Sequence, residues 1–568
     1  MSSRIVKFGL ALALLVGACL SLPAAAQSGD SLAVVPPLGR GPYPVGCSDI
    51  AQDFSRVQFG ATPDNYWEGE NGRYVTSLLS HPASTFVATV TLPDDRELFG
   101  PFVRQSIPYV VLVCYPTSAD NPRADYVLPN GKAVPHMQAA GQSPLFAMDR
   151  ARYPALLFSH GLSGSPLSAD YLDAVQLLAS YVYVVIAPFH GDARIANITL
   201  DNIGDVVNAI LHFAEYTAMQ AVRPLSLSAA LDVVLANPDF ASRIDANAIG
   251  GFGGSLGGES VLLMAGAQLT TSIGQSSKVV TRDPRLKAAV GYVPYFGQTI
   301  LPAFGRDQNG LDNVTIPYLA IGGTLDTVAP LGPITQGVAR LHHARQLVAL
   351  QGVQHGFDRA SAGDIFTWSL TFLGAYVLDD TLLRVRSARM IQVAGGGDDT
   401  LLIDYAEPLP PDDDQRIAVE FYNAVLDHYF ITAEPAEAAM LDAGIVVPGW
   451  HRTGFAFKVH KADSLFGVPA CRFSGTPGLG PNSHFFTINP AECALVKANP
   501  FWTYEGIAFK ADLPSGEDCA IDRIPVIRLY NNGKGGQANH RYLTSHSEIR
   551  NTLAQGWIRE GAVFCALP

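Results

Sequence analysis

At 568 residues the chain is long for one domain, and 48% apolar residues supply material for more than one packed core. A formal net charge of −13 argues against nucleic acid and anionic membranes as partners. The seven cysteines contain no C-x-x-C pair, which argues against zinc-ribbon or thioredoxin-type roles.

Residues 1–26 read as a secretory signal: Arg4 and Lys7, an apolar stretch from Phe8 to Ala18, then Ala24-Ala25-Ala26. A lipoprotein signal anchored at Cys19 is the rival reading, and no later stretch reads as a membrane span. Cleavage moves the net charge from −13 to about −15 and leaves six cysteines for an oxidising compartment. Local pairing predicts Cys47–Cys114, Cys471–Cys493 and Cys519–Cys565; free buried thiols are the alternative. Residues 27–72, rich in Gly, Pro and Asp, read as a loose lead-in. Strands are predicted at Thr85–Leu92 and Tyr109–Tyr115. From about 150 to 378 apolar strands alternate with helical stretches, as in a mostly parallel sheet covered on both faces. The catalytic domain is accordingly placed at 73–394.

Within it, Tyr153–Ser159 is a buried-strand pattern ending in His160-Gly161-Leu162-Ser163-Gly164. That loop brings backbone close to a substrate, with the Leu162 amide as an oxyanion donor; His160 braces the loop or, less simply, acts as a base. His190-Gly191-Asp192 follows the strand Tyr183–Ala187 and reads as a brace, since a third metal ligand at usable spacing is missing. Pro224–Leu235 is predicted as a helix. Then Gly253-Gly254-Ser255-Leu256-Gly257 follows an apolar strand, the G-x-S-x-G turn that exposes a serine hydroxyl and sets the Leu256 amide as second donor. Tyr292–Asn313, with Pro294, Tyr295, Phe296, Pro302 and Phe304, is either a pocket cap or an ordinary connection. Asp326 and His355 each stand just past a predicted strand, 316–323 and 347–350. The order Ser255, Asp326, His355 is that of a nucleophile, an orienting carboxylate and a base.

Phe158–Ser165, the turn Gly253–Gly258 and Gln354-His355-Gly356-Phe357 resemble the platelet-activating-factor acetylhydrolase and dienelactone-hydrolase-like branch of the α/β-hydrolases, over about residues 70–380. The resemblance implies an α/β-hydrolase fold and cleavage of carboxylic esters; the chemistry of Ser255, His355 and Asp326 by itself calls for no cofactor or metal. True dienelactone hydrolases use a cysteine nucleophile; serine at 255 favours simple esterase or lipase chemistry.

Residues 395–414, with Gly395-Gly396-Gly397 and Pro408-Leu409-Pro410-Pro411, read as a linker whose acids are solvated. Beyond it, at 415–568, one layout occurs three times around His428, His484 and His540, spaced 56 residues apart. Each copy carries a later acid (Glu437, Glu492, Glu548), a tryptophan (Trp450, Trp502, Trp557) and a Gly-aromatic strand. This resembles a three-repeat module of unknown function appended to secreted bacterial hydrolases and peptidases, and an α+β domain with pseudo-threefold symmetry is expected. Its aromatic residues pack each unit or bind a sugar or polymer surface. The leading expectation is a secreted serine ester hydrolase acting on a small-molecule, lipid or polymer ester. The rivals are a lipase, phospholipase or polyester depolymerase that uses the module to reach insoluble substrate, and an inert surface-binding protein.

Overall fold

A computed structural model describes residues 30–48 and 86–568, apart from 129–130, 140, 197, 199–202, 299–300, 396–397, 446 and 535–536. The signal and lipoprotein readings lie outside the described residues. So does most of the lead-in.

The N-terminal part is built on a ten-stranded mixed sheet with helices on it. Its strands are β1 (Val45–Cys47), β2 (Phe86–Thr91), β3 (Ser106–Pro116), β4 (Tyr153–Ser159), β5 (Val184–Pro188), β6 (Ile244–Gly254), β7 (Leu286–Tyr292), β8 (Tyr318–Gly323), β9 (Arg345–Leu350) and β10 (Asp399–Tyr405). They run in the order β10-β9-β8-β7-β6-β4-β5-β3-β1, with β2 also on β3. The run from β5 to β9 is parallel, and antiparallel strands close both edges. Every residue of β4 and β8 is buried, which is why these strands read as unbroken apolar runs and not as alternating ones. The chain leaves β4 toward β5 on one side, whereas β6 continues to β7 on the other. This reversal opens a crevice at the carboxyl ends of β4 and β6.

Helices α1 (Ala169–Tyr181), α2 (Phe213–Ala236), α3 (Leu256–Met264), α4 (Leu331–Arg340), α5 (Ala362–Tyr376) and α6 (Thr381–Arg389) accompany the sheet. The sequence places a helix start at Pro224, because proline suits a first turn. In the structure α2 begins 11 residues earlier and keeps Pro224 in its interior. This helix is also long and apolar enough to cross a membrane, contrary to the sequence reading, and 67% of its most apolar window is buried in the protein.

Short pieces of two segments expected to be irregular belong to the sheet. Within the lead-in, β1 pairs with β3 and places Cys47 opposite Cys114, where the two are disulfide-bonded. Within 395–414, β10 pairs antiparallel with β9, so this stretch is an edge strand flanked by breakers and not a free tether. Burial of the short apolar piece Leu401–Ile403 against the sheet accounts for the difference. The segment 292–313 folds inward: Tyr295, Phe296 and Phe304 are buried, and Phe296 meets Phe304 edge-on at 5.2 Å.

The C-terminal part repeats one strand–strand–helix–strand unit three times. The units are β11 (Gln415–Asn423), β12 (His428–Thr432), α7 (Pro435–Ala443) and β13 (Trp450–His460); β14 (Val468–Gly475), β15 (His484–Thr487), α8 (Pro490–Lys497) and β16 (Trp502–Ala511); and β17 (Ile524–Tyr530), β18 (His540–Leu543), α9 (His546–Ala554) and β19 (Ile558–Ala566). In each the first strand lies between the other two. Their aromatic residues, among them Phe421, Phe430, Phe457, Phe486, Phe509, Tyr542 and Phe564, form a shared core. Ion pairs join successive units: Arg472 holds Glu437 at 2.8 Å, and Arg528 holds Glu492 at 2.9 Å. At the third junction the position matching Arg472 and Arg528 is Glu420. There Arg541 sits between Glu420 and Glu548 and restores the charge balance. Cys471–Cys493 and Cys519–Cys565 complete the disulfides expected from local pairing.

The repeats are docked on the sheet. Arg389 of α6 is fully buried; it pairs with Asp30 and Asp518 and donates to the carbonyls of Cys519, Ala520 and Arg523. Asp404 of β10 accepts from the His546 and Ser547 amides at 2.9 and 2.7 Å, placing a carboxylate at the amino end of α9.

Candidate active site

Ser255 occupies the single-residue turn between β6 and α3, at φ 53° and ψ −122°, a left-handed conformation that costs energy for a residue with a side chain. Two glycines make the turn possible by close approach. A Cβ on Gly253 would lie 2.1 Å from the Gly257 carbonyl oxygen, and one on Gly257 would lie 1.9 Å from the Ser159 oxygen. The Ser255 amide donates to the Tyr292 carbonyl at 2.9 Å, and its carbonyl accepts from Tyr295 at 3.0 Å, so the strained residue is held from both sides.

Asp326 follows β8 and His355 follows β9, and the structure brings both to Ser255. His355 Nε2 lies 2.9 Å from Ser255 Oγ, and His355 Nδ1 lies 2.8 Å from Asp326 Oδ2. The Asp326 side chain is fully buried, and its other oxygen accepts from the Val328 and Ala329 amides at 2.9 and 2.8 Å. These two donors fix the carboxylate, which in turn holds a proton on His355 Nδ1 and leaves Nε2 facing the serine. Tyr292, which the sequence reading gives no role beyond opening the 292–313 segment, braces the histidine loop: its hydroxyl donates to the Gly356 carbonyl at 2.7 Å and accepts from the Asp358 amide at 3.2 Å.

Leu256 is the first residue of α3, and Leu162 is half-buried in the loop after β4. A Cβ on Gly161 would lie 3.3 Å from Ser255 Cβ, so the two turns touch. Neither the Leu162 nor the Leu256 amide donates to another described residue.

Beneath the loop lies a buried polar network. Arg223 Nε donates to Asp192 Oδ1 at 2.8 Å, Nη1 to the His160 carbonyl at 2.8 Å, and Nη2 to the Gly161 carbonyl at 2.9 Å and Asp192 Oδ2 at 2.7 Å. Burial alone would push the Asp192 carboxyl up, but the Arg223 charge and hydrogen bonds outweigh it and hold it below its usual value. His160 is lowered to about 4, first by burial and then by Arg223. It is therefore neutral, donating from Nδ1 to the Gly161 carbonyl at 2.7 Å and accepting at Nε2 from the His190 amide at 3.1 Å. His190, lowered well below its usual value by burial and by Arg223, spans Ser159 and Ser226 at 2.8 and 2.9 Å. Both histidines brace the loop. No group of three or more His, Cys, Asp or Glu among the described residues is placed to hold a metal.

The N-terminal part is similar to a cutinase. Over 193 residues, 34% of this chain, it is 28% identical to "Cutinase est1" of Thermobifida alba, and the chain spans about half of that relative, 48% of its length. Residues 417–567 match the family described as "Domain of unknown function (DUF5648)", which covers the three repeats. Arg223 escaped the sequence reading because the predicted helix began one residue after it. The signal was a charge in the apolar middle of the helix, well away from Glu215 and Asp232 near its ends, which demands a buried partner.

Proposed function

We propose that the chain is a serine hydrolase of the α/β-hydrolase fold that cleaves carboxylic esters through an acyl-enzyme. The observation that carries this reading is the unbroken hydrogen-bonded series Asp326–His355–Ser255, with its members past the carboxyl ends of parallel strands of one sheet. His355 takes the Ser255 proton as Oγ attacks the ester carbonyl, and Asp326 stabilises the resulting imidazolium. The Leu162 and Leu256 amides receive the oxyanion, each donor worth about 3–4 kcal/mol. Collapse expels the alcohol with the proton from His355. Water, activated by the same histidine, then releases the acid and restores the serine.

The motifs around Ser159, Ser255 and His355 favour the platelet-activating-factor acetylhydrolase and dienelactone-hydrolase-like branch. The three disulfides favour export to an oxidising compartment. A second reading is a polyester depolymerase whose repeats contact the polymer; the similarity of the N-terminal part to a protein named cutinase favours its ester-cleaving half alone.

The test is hydrolysis of p-nitrophenyl esters of graded chain length by the whole chain and by Ser255→Ala. The variant is expected to stay folded, lose at least about 10³-fold in kcat and resist fluorophosphonate labelling. Wild-type turnover in Ser255→Ala would end this assignment. Cleavage confined to long-chain or particulate esters would favour the second reading.

A further inference from the structure

The buried Arg223–Asp192 pair sends its hydrogen bonds into one loop, and the pattern determines where that loop's amides point. We propose that Arg223, locked by Asp192, is the positioning residue that aims the Leu162 amide at the carbonyl oxygen of the substrate; this rests on Ser255 being the nucleophile. The carbonyl and amide of a trans peptide point to opposite sides. In the peptide between residues 160 and 161, the His160 carbonyl meets Arg223 Nη1 and the Gly161 amide meets the Tyr171 hydroxyl at 2.9 Å on the other side. In the next peptide the Gly161 carbonyl accepts from Arg223 Nη2 at 2.9 Å and His160 Nδ1 at 2.7 Å, with a longer third bond from the Gly164 amide at 3.3 Å. The Leu162 amide of that same peptide is thereby turned away from the arginine, on the loop that touches Ser255.

The following peptide is fixed as well. Ser163 stands at φ 58° and its amide donates to Asp192 Oδ2 at 3.0 Å, so the same carboxylate that holds Arg223 holds the strained end of the loop. The Gly161, Ser163 and Gly164 amides are all taken, the last by the Gly161 carbonyl at 3.3 Å; Leu162 alone of these four donates to no described residue. Arg223 does this with a planar fork: two donors on backbone carbonyls and two on Asp192. Lysine offers a point charge in its place. A buried ion pair is poor value for stability alone, because apolar residues of equal volume serve as well. Its use here is to set a peptide plane.

The test compares the whole chain with Arg223→Lys and Asp192→Asn, using p-nitrophenyl butyrate and an alkyl trifluoromethyl ketone that binds serine as a tetrahedral oxyanion. Thermal unfolding is followed in parallel. Expected is a loss of about 10²-fold in kcat for Arg223→Lys, with KM within about twofold. Ketone affinity should fall in step with kcat/KM, and the pH profile should keep its shape because His355 and Asp326 are untouched. Asp192→Asn preserves shape and is expected to show the same split in smaller measure; it decides the matter if Arg223→Lys does not fold. A folded variant with wild-type kcat, or with reduced kcat but unchanged ketone affinity, overturns the clamp. Ser255→Ala separates the two ideas: full activity there defeats the nucleophile assignment, whereas an inactive Ser255→Ala beside a fully active Arg223→Lys defeats the clamp alone.

Discussion

Glu259 lies one helical turn beyond Ser255, fully buried, with Oε1 accepting from the Gln220 amide at 2.6 Å and Oε2 without a partner among the described residues. Burial pushes its carboxyl well above the usual value, with Arg223 and Gln220 only partly opposing. The folded protein therefore keeps a proton that the unfolded chain releases above about pH 4.5. Stability contributed by this group is present in acid and is lost as pH rises. Glu259→Gln keeps the shape and the Gln220 contact while removing the titration. It should stabilise the protein by on the order of 1 kcal/mol at pH 8 and by clearly less at pH 5, measured by urea unfolding at both pH values. An equal gain at both would contradict a buried neutral carboxyl. Ser255, Asp326 and His355 were legible in the sequence because each follows an apolar strand and carries its own local motif. Glu259, Arg223, Tyr171 and Tyr292 were not, because what each does depends on partners tens of residues away.

Edge elements were the least legible. Strands β4, β6, β8 and β9 announce themselves by apolar runs, since both faces of each are covered. At the sheet's margins the signal thins: β1 has only three residues and β10 sits between Gly395–Gly397 and Pro408–Pro411, punctuation that reads equally well as a tether. Yet β10 is integral to the N-terminal part. Trp368 Nε1 of the buried helix α5 donates to Asp399 at 2.6 Å, and the Val393 amide donates to the same oxygen at 3.0 Å. A chain stopped after Asp398 loses that carboxylate and bares β9 as a sheet edge, whereas one stopped after Pro410 loses only the repeats. The first should be less stable than the second by about 2–4 kcal/mol, the cost of a buried unsatisfied donor together with lost strand pairing. Thermal unfolding and light scattering of the two truncations check this; matching melting temperatures would mean β10 adds nothing to the sheet.

Across the whole molecule, acid is the condition to which the structure is most exposed. His160 and His484 are lowered to about 4 and His540 to about 3, each mainly by burial, and His190 and His428 are lowered too. An unfolded histidine takes up its proton near pH 6.5. Between that pH and about 4 the unfolded chain therefore binds protons that the folded chain refuses, and each such site costs about 1.4 kcal/mol per pH unit. Glu437 and Glu492, whose burial is outweighed by Arg472 and Arg528, are held below their usual value and withdraw stability at still lower pH. Urea midpoints should fall steeply from pH 6.5 to 4.5, and the fluorescence of Trp450, Trp502 and Trp557 should report loss of the repeats. A midpoint constant over this range would contradict neutral buried histidines. The Arg389 contact has a consequence for biogenesis. A ribosome or an export channel delivers the chain from its beginning, and Arg389 meets Asp30 long before Asp518 and the 519–523 carbonyls exist. Until those residues emerge, Arg389 lacks most of the partners that bury it. The closing step of assembly thus waits on the segment 518–523, which leads from the second repeat into the third.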